Sequence, residues 1–150
     1  MRIVDGVQDL EDLLGQELGT SGWHTVDQSL ITAFAHATDD FEAIHLDPGR
    51  GIEAGLGGTI AHGLYTLALG PKFLYEIFEV RGHRLGLNYG FDRVRFTAPV
   101  TVGSRVRMSA TLVRAAPLDG GTRFTIRQRF EIEGRERPAC VADALVAYFR

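Results

Sequence analysis

The sequence has a single cysteine, Cys140, and two methionines. A lone thiol excludes an internal disulfide, and no neighbour among Ala139, Val141 and Ala142 would lower its pKa. Cys140 therefore reads as a small apolar filler and not as a nucleophile. No run approaches the roughly 20 uninterrupted apolar residues that cross a bilayer, so no membrane partner is expected. The opening residues, Met1 to Asp9, lack the apolar core and small-residue cleavage site of a secretory signal, which predicts a cytoplasmic protein. Surplus positive charge is also missing: the formal net charge is -3, which gives no reason to expect a nucleic-acid partner. There is no internal repeat and no low-complexity tract.

What is present is a chain of 150 residues, 45% hydrophobic and 23% charged, the balance of a folded protein with one domain over residues 1–150. The first twenty residues read as an amphipathic helical lead-in, with Val7, Leu10, Leu13, Leu14 and Leu18 at helical spacing. A strand is expected at Trp23 to Val26. Asp27 then stands where an N-cap belongs, and Leu30, Ile31, Phe34, Ala35 and Thr38 predict a short helix from Gln28 to about Asp39. From Asp40 to Gly58 the periodicity is poor and glycines are frequent, so an irregular excursion with at most one helical turn is expected. Thr59 is the expected cap of a long apolar helix reaching about Phe78, covered on nearly all sides and kinked or broken at Pro71.

From Leu85 onward the apolar period changes to two. Val106, Met108, Ala110 and Leu112 alternate with polar residues, and Phe124, Ile126, Phe130 and Ile132 do the same. The many arginines between Arg81 and Arg137 are then mostly the wet face of a sheet. The apolar parity switches between Tyr89 and Phe96, which requires a bulge near Asp92 and Arg93. Ala139 to Phe149 is apolar or small at nearly every position, as in a strand covered on both faces. One long helix packed on a curved antiparallel sheet satisfies both burial patterns, an α+β fold, and the exposed edges predict pairing with a second copy of the chain.

The chemistry is concentrated in Asp40-Phe-Glu-Ala-Ile-His45-Leu-Asp47-Pro48 and in Gly57-Gly58-Thr59-Ile60-Ala61-His62-Gly63. On an unbroken helix, residues 40 and 45 would point about 140° apart, so the carboxylate and imidazole share a focus only if the backbone bends between them. Asp39 is the rival of Asp40 for that role. His62, in the first turn of a buried helix, reads first as a packed structural group. Asp39, Asp40, His45, Asp47 and His62 contain metal-ligand types, but their spacing matches no metal motif, so no metal and no cofactor are expected.

These blocks, with Phe34-Ala35 upstream and Asn88-Tyr89-Gly90 leading to Arg95-Phe-Thr-Ala-Pro99, resemble the MaoC-like dehydratases of the hotdog superfamily. That family includes the (R)-specific enoyl-CoA hydratases and their nodulation-protein-N-like relatives. The resemblance implies a hotdog fold and a homodimer or higher homo-oligomer. It implies reversible addition of water to a trans-2-enoyl thioester of CoA or acyl carrier protein. Asp40 and His45 would be the catalytic pair, the Gly63 N–H an oxyanion donor, and His62, Tyr65, Asn88, Tyr89 and Gly90 would lie against substrate. Glu42 and Ala43 depart from the usual residues after the aspartate, which motivates a non-catalytic acyl-thioester-binding protein as an alternative. A thioesterase is the other alternative, although Ala61 to Leu69 lacks the acid that activity uses on this fold.

Overall fold

The period-two alternation of the second half becomes a sheet in the computed structural model, which describes residues 1–150. In chain order the elements are β1 (Arg2–Val4), α1 (Val7–Glu11), β2 (Glu17–Thr20), β3 (His24–Thr25), α2 (Gln28–Thr38), α3 (Ala43–Leu46) and α4 (Pro48–Glu53). There follow α5 (Gly63–Ala68), α6 (Gly70–Ile77), β4 (Phe78–Val80), β5 (Leu85–Phe96), β6 (Arg105–Leu118), β7 (Gly121–Ile132) and β8 (Cys140–Phe149). The main sheet runs β2-β6-β7-β8-β5, all antiparallel, with β3 also pairing β6. This is the expected α+β arrangement, with the helices on one face of the sheet.

That face is the apolar parity read from sequence: Val106, Met108, Ala110 and Leu112 of β6 and Phe124, Ile126 and Phe130 of β7 are wholly buried. Phe73 of α6 packs on Phe130 with ring centroids 6.2 Å apart, joining helix to sheet. The opposite face carries cross-strand ion pairs between register partners, Arg107 with Glu131 at 2.8 Å and Arg127 with Asp143 at 2.9 Å. Exposed pairs of this kind contribute little stability but keep the face wet and soluble. The expected parity switch in β5 is real, with register shifts between Asn88 and Gly90 and between Phe91 and Arg93.

Several expectations need correction. The lead-in is helical only over Val7–Glu11, because β1 pairs with β4 and β2 with β6, and these long-range ladders override local periodicity. The strand at Trp23 to Val26 shrinks to β3, which makes only two register pairs with β6. The irregular excursion contains two short helices, α3 and α4, and Asp47 begins the second by accepting the Gly49 N–H at 2.8 Å.

The central helix also starts and divides differently. Thr59 is not its cap; residues 59–61 are extended, with Ala61 N–H on Val100 O at 2.8 Å and Val102 N–H on Thr59 O at 2.9 Å. His62 is the N-cap, and the helix runs from Gly63 to Ile77 with an interruption at Leu69. Pro71 has no N–H to give the Leu67 carbonyl, so the turn before it is where regularity fails. Nor is the helix covered all round: Leu64 is 61% exposed and Tyr75 75%. Leu85, Leu87, Tyr89, Phe91 and Phe96 of the edge strand β5 are exposed too.

Candidate active site

Asp40 and His45 are brought together by a chain reversal that the sequence spells locally. Helix α2 begins at Asp27, whose carboxylate accepts the Leu30 N–H at 3.0 Å, and ends at Asp39 in the left-handed region with φ 54°. Aspartate tolerates that conformation better than most residues, and the Asp40 N–H then bonds back to Ala35 O at 3.1 Å. The chain leaves α2 at an angle and Glu42 starts α3, so the 140° divergence of a continuous helix never arises. The Glu42 N–H lies 3.4 Å from Asp40 Oδ1, while the Glu42 side chain is exposed to solvent.

His45 is fixed from two sides. Its Nδ1 lies 2.7 Å from the Ile60 carbonyl, an acceptor only, so Nδ1 carries the proton and Nε2 is left for other work. Its own carbonyl accepts from Gln28 Nε2 at 2.9 Å, and Gln28 Oε1 accepts from the Thr59 hydroxyl at 2.5 Å. The Ile60 N–H bonds to Ile44 O at 3.1 Å. Gln28 and Thr59 thus clamp α3 to the strand that leads into α5. Neither is visible as a site residue in the sequence, because Gln28 looks like an ordinary first-turn residue and Thr59 like a cap. Gly51 holds the same junction from below: a Cβ there would lie 2.0 Å from Gly58 O, so any side chain would push α4 off the strand.

His62 completes the cluster. Its ring stacks on His45 with centroids 3.8 Å apart and planes at 23°. Its Nε2 donates to the Asp40 carbonyl oxygen at 3.1 Å and lies 4.0 Å from Asp40 Oδ2. Both histidines are buried, whereas the Asp40 side chain is 52% exposed, so the carboxylate opens the pair to solvent. Side-chain donor atoms of Asp40, His45 and His62 all lie within 4.8 Å of one another. Stacked rings direct their lone pairs side by side and not to one point about 2 Å away, as ligation of an ion requires. The arrangement suits proton transfer through a shared water better than metal binding.

Gly63 follows His62 directly and is the first residue of α5. Its N–H belongs to the opening turn, which has no intrahelical acceptor, and the residue borders a cleft of about 280 Å³ formed with Ile60, Thr66 and Phe96, on whose wall neither Asp40 nor either histidine of the cluster lies. A Cβ on residue 63 would come within 2.9 Å of the Phe96 ring, so glycine is what lets the strand approach. Tyr65 lies beneath the cluster, edge-on to Phe34 and with its hydroxyl 2.9 Å from His24 Nε2. Asn88 lines a different, larger cavity; Tyr89 is exposed beneath the Arg123 guanidinium, and Gly90 sits at a bulge. These three are not part of the Asp40–His45 cluster within one chain. Cys140 is buried in β8, and burial pushes its thiol up to about 11, as a structural role requires.

Comparison with known proteins places this constellation in context. The family model of the MaoC like domain matches residues 9–131. A 3-hydroxyacyl-thioester dehydratase Z of Mycobacterium tuberculosis is 44% identical over 149 residues, which is 99% of each chain. Nodulation protein N of Rhizobium meliloti is 44% identical over 144 residues, 91% of this chain and 87% of that one. Among solved structures, an (R)-hydratase from A. caviae superposes with a TM-score of 0.72 at 23% identity, over 89% of this chain and 94% of that one. A monoamine oxidase regulatory protein from Archaeoglobus fulgius gives 0.81 at 21% identity, over 99% and 96%.

The Tyr65–His24 contact under the cluster yields a pH prediction. Burial, reinforced by the Lys72 cation, lowers the His24 pKa below its ordinary 6.5. Between that lowered value and 6.5 the unfolded chain binds more protons, so the stability contributed by neutral His24 is complete above 6.5 and lost as pH falls. Acidification from about pH 7.5 to about pH 5 should therefore lower the melting temperature of the native chain more than that of His24→Asn. Equal losses in thermal unfolding scans would show that His24 does not carry the effect.

Proposed function

The chain belongs to the MaoC-like domain family, and on that premise we propose that it is an (R)-specific enoyl-CoA hydratase, or 3-hydroxyacyl-thioester dehydratase in reverse, built as one hotdog domain. The observation that carries the reading is the convergence of Asp40, His45 and His62, one ligand atom of each within 4.8 Å of the others, with Gly63 following His62 directly as the first residue of α5. A carboxylate and an imidazole that close can hold one water between them.

In the hydration direction the Asp40 carboxylate takes a proton from that water as its oxygen bonds to the β carbon of the enoyl thioester. Electrons of the double bond move toward the thioester carbonyl, whose developing negative charge is met by the Gly63 N–H. The proton that Asp40 has taken passes across the short gap to the free Nε2 of His45, which delivers it to the α carbon, so that carboxylate and imidazole end as they began. The Ile60 carbonyl holds the ring in orientation through Nδ1 at every stage. His62 supports the Asp40 backbone and the His45 ring face, a positioning role.

The alternatives have less to rest on. Glu42 motivated a non-catalytic reading, yet its side chain faces solvent and its N–H helps to hold Asp40. The helical segment Gly63–Ala68 contains no acid for a thioesterase.

The exposed apolar residues of β5 and of the outer helix face support a homodimer, since a long edge strand with five exposed large hydrophobics is a pairing surface. Light scattering should give twice the chain mass, and a monomer at micromolar concentration would exclude this assembly.

Loss of enoyl absorbance on addition of the protein to crotonyl-CoA tests the activity. Asp40→Asn and His45→Ala should each lower kcat by about 10²- to 10⁴-fold while the fold persists by circular dichroism. Full turnover in both would remove the pair from the mechanism. The oxyanion assignment has its own test, because proline is tolerated at the first helical position and His62, at φ -57° and ψ 138°, already has the backbone that precedes a proline. Gly63→Ala and Gly63→Pro both displace Phe96, but only the second deletes the N–H. Gly63→Pro should therefore be slower than Gly63→Ala by about 10²- to 10³-fold; equal rates would clear the amide of any role.

A further inference from the structure

A single helical stripe serves two hollows. Gly63, Thr66, Gly70, Leu74 and Phe78 recur at intervals of three and four, so they lie one above another along α5, α6 and the residue that follows. Gly63 and Thr66 wall the cleft at the catalytic end, and Leu74 and Phe78 wall a cavity of about 450 Å³ at the other end. The strands keep the same order: Phe96 of β5 borders the cleft, and Phe91 and Leu87 border the cavity. Both hollows thus lie along the same helical stripe and the same strand, with no residue lining both.

The cavity wall is largely apolar, but one group in it is buried at a cost. Gln128 is 2% exposed, on the core face of β7 between its register partners Ala110 and Ala142. Its Oε1 is buried with no hydrogen-bond partner. The amide lies against Gly70, where a Cβ would come within 3.0 Å of Oε1. Asn88 contributes a second carboxamide to the same cavity, and the Nδ1 of His83, also on its wall, is buried without a partner. A carboxamide left unpaired in an apolar surround is unfavourable whether the cavity is empty or filled by hydrocarbon. A ligand that supplies the missing hydrogen bonds removes that penalty.

We propose that Gln128 is a specificity-determining residue that selects acyl thioesters bearing a hydroxyl group about 10 Å along the chain from the thioester, the helical rise from Gly63 to Gly70. This rests on the thioester reading of the Gly63 site. A hydroxyl both donates and accepts, so it satisfies Oε1 and the amide N–H together, whereas a ketone offers no proton to Oε1. Charge does not decide the matter, because Glu79 and Met1, the residue that carries the α-amino group, both lie on the cavity wall; the preference rests on the hydrogen bonding of Gln128.

The test is calorimetric binding of two unreactive ligands that differ in one atom, octanoyl-CoA and omega-hydroxyoctanoyl-CoA. The native chain should bind the hydroxylated ligand about tenfold more tightly. In Gln128→Met, of similar shape but without the amide, the preference should vanish or reverse. Gln128→Leu provides a second apolar variant should the first not fold. Equal affinities in the native chain overturn the proposal, as does a preference that persists unchanged in a folded apolar variant. Binding requires no turnover, so failure to hydrate crotonyl-CoA counts against the hydratase reading alone, and equal affinities count against the role of Gln128 alone.

Discussion

The hydrogen bond from His45 Nδ1 to the Ile60 carbonyl, at 2.7 Å, is the constraint on which the site depends. As a contribution to stability it is modest, about 1 kcal/mol net for a bond of this kind. Its consequence for geometry is larger. It joins the short helix that follows the reversal at Asp39 to the strand that precedes Gly63, so imidazole, carboxylate and helix start are held in one frame. It also settles which ring nitrogen carries the proton at rest, leaving Nε2 free of that bond. The Ile60 segment is itself held by backbone bonds against residues 100–102, in the connection between β5 and β6, so the frame is tied to the chain that joins two strands of the main sheet.

The burial pattern of the cluster fits the roles proposed for its groups. His45 and His62 are buried and stacked, which restricts ring rotation, while the Asp40 carboxylate stays half exposed. A water to be activated must be able to enter, and a fully enclosed aspartate would either exclude it or resist ionisation. The stacked second imidazole, itself 3% exposed, restricts the first by ring contact. Its Nε2 on the Asp40 carbonyl also fixes the backbone at the one point where the reversal would otherwise be free to swing.

Much of this was legible in the sequence, and the reasons differ by element. The alternation in β6 and β7 fixed the core face residue by residue, because period two leaves no ambiguity where one side is wet. Asp27 as N-cap and the bulge near Asp92 were likewise readable, since each has a local cause. The start of the central helix was not. Thr59 is a good cap by type, but its backbone is claimed by residue 102, and such a distant pairing leaves no local mark. The lead-in failed for the same reason, with β1 and β2 recruited by strands far along the chain. The two candidate residues Asp40 and His45 were visible as types and spacing; Gln28 and the Ile60 carbonyl, which aim them, were not, because a backbone carbonyl carries no residue identity at all.

The division of the helix at Leu69 has a consequence for how chemistry and selectivity coexist. Gly63 and Thr66 lie before the interruption, and Leu74 and Phe78 lie beyond it. Because Pro71 breaks the hydrogen-bond ladder between them, the direction of the second segment is not rigidly dictated by the first. Pro71 removes one bond, the one to the Leu67 carbonyl, while the Phe73 N–H on Leu69 O at 3.0 Å carries the chain into the second segment. The helical residues that wall the larger cavity therefore sit on a segment of their own, distinct from the one that begins at Gly63.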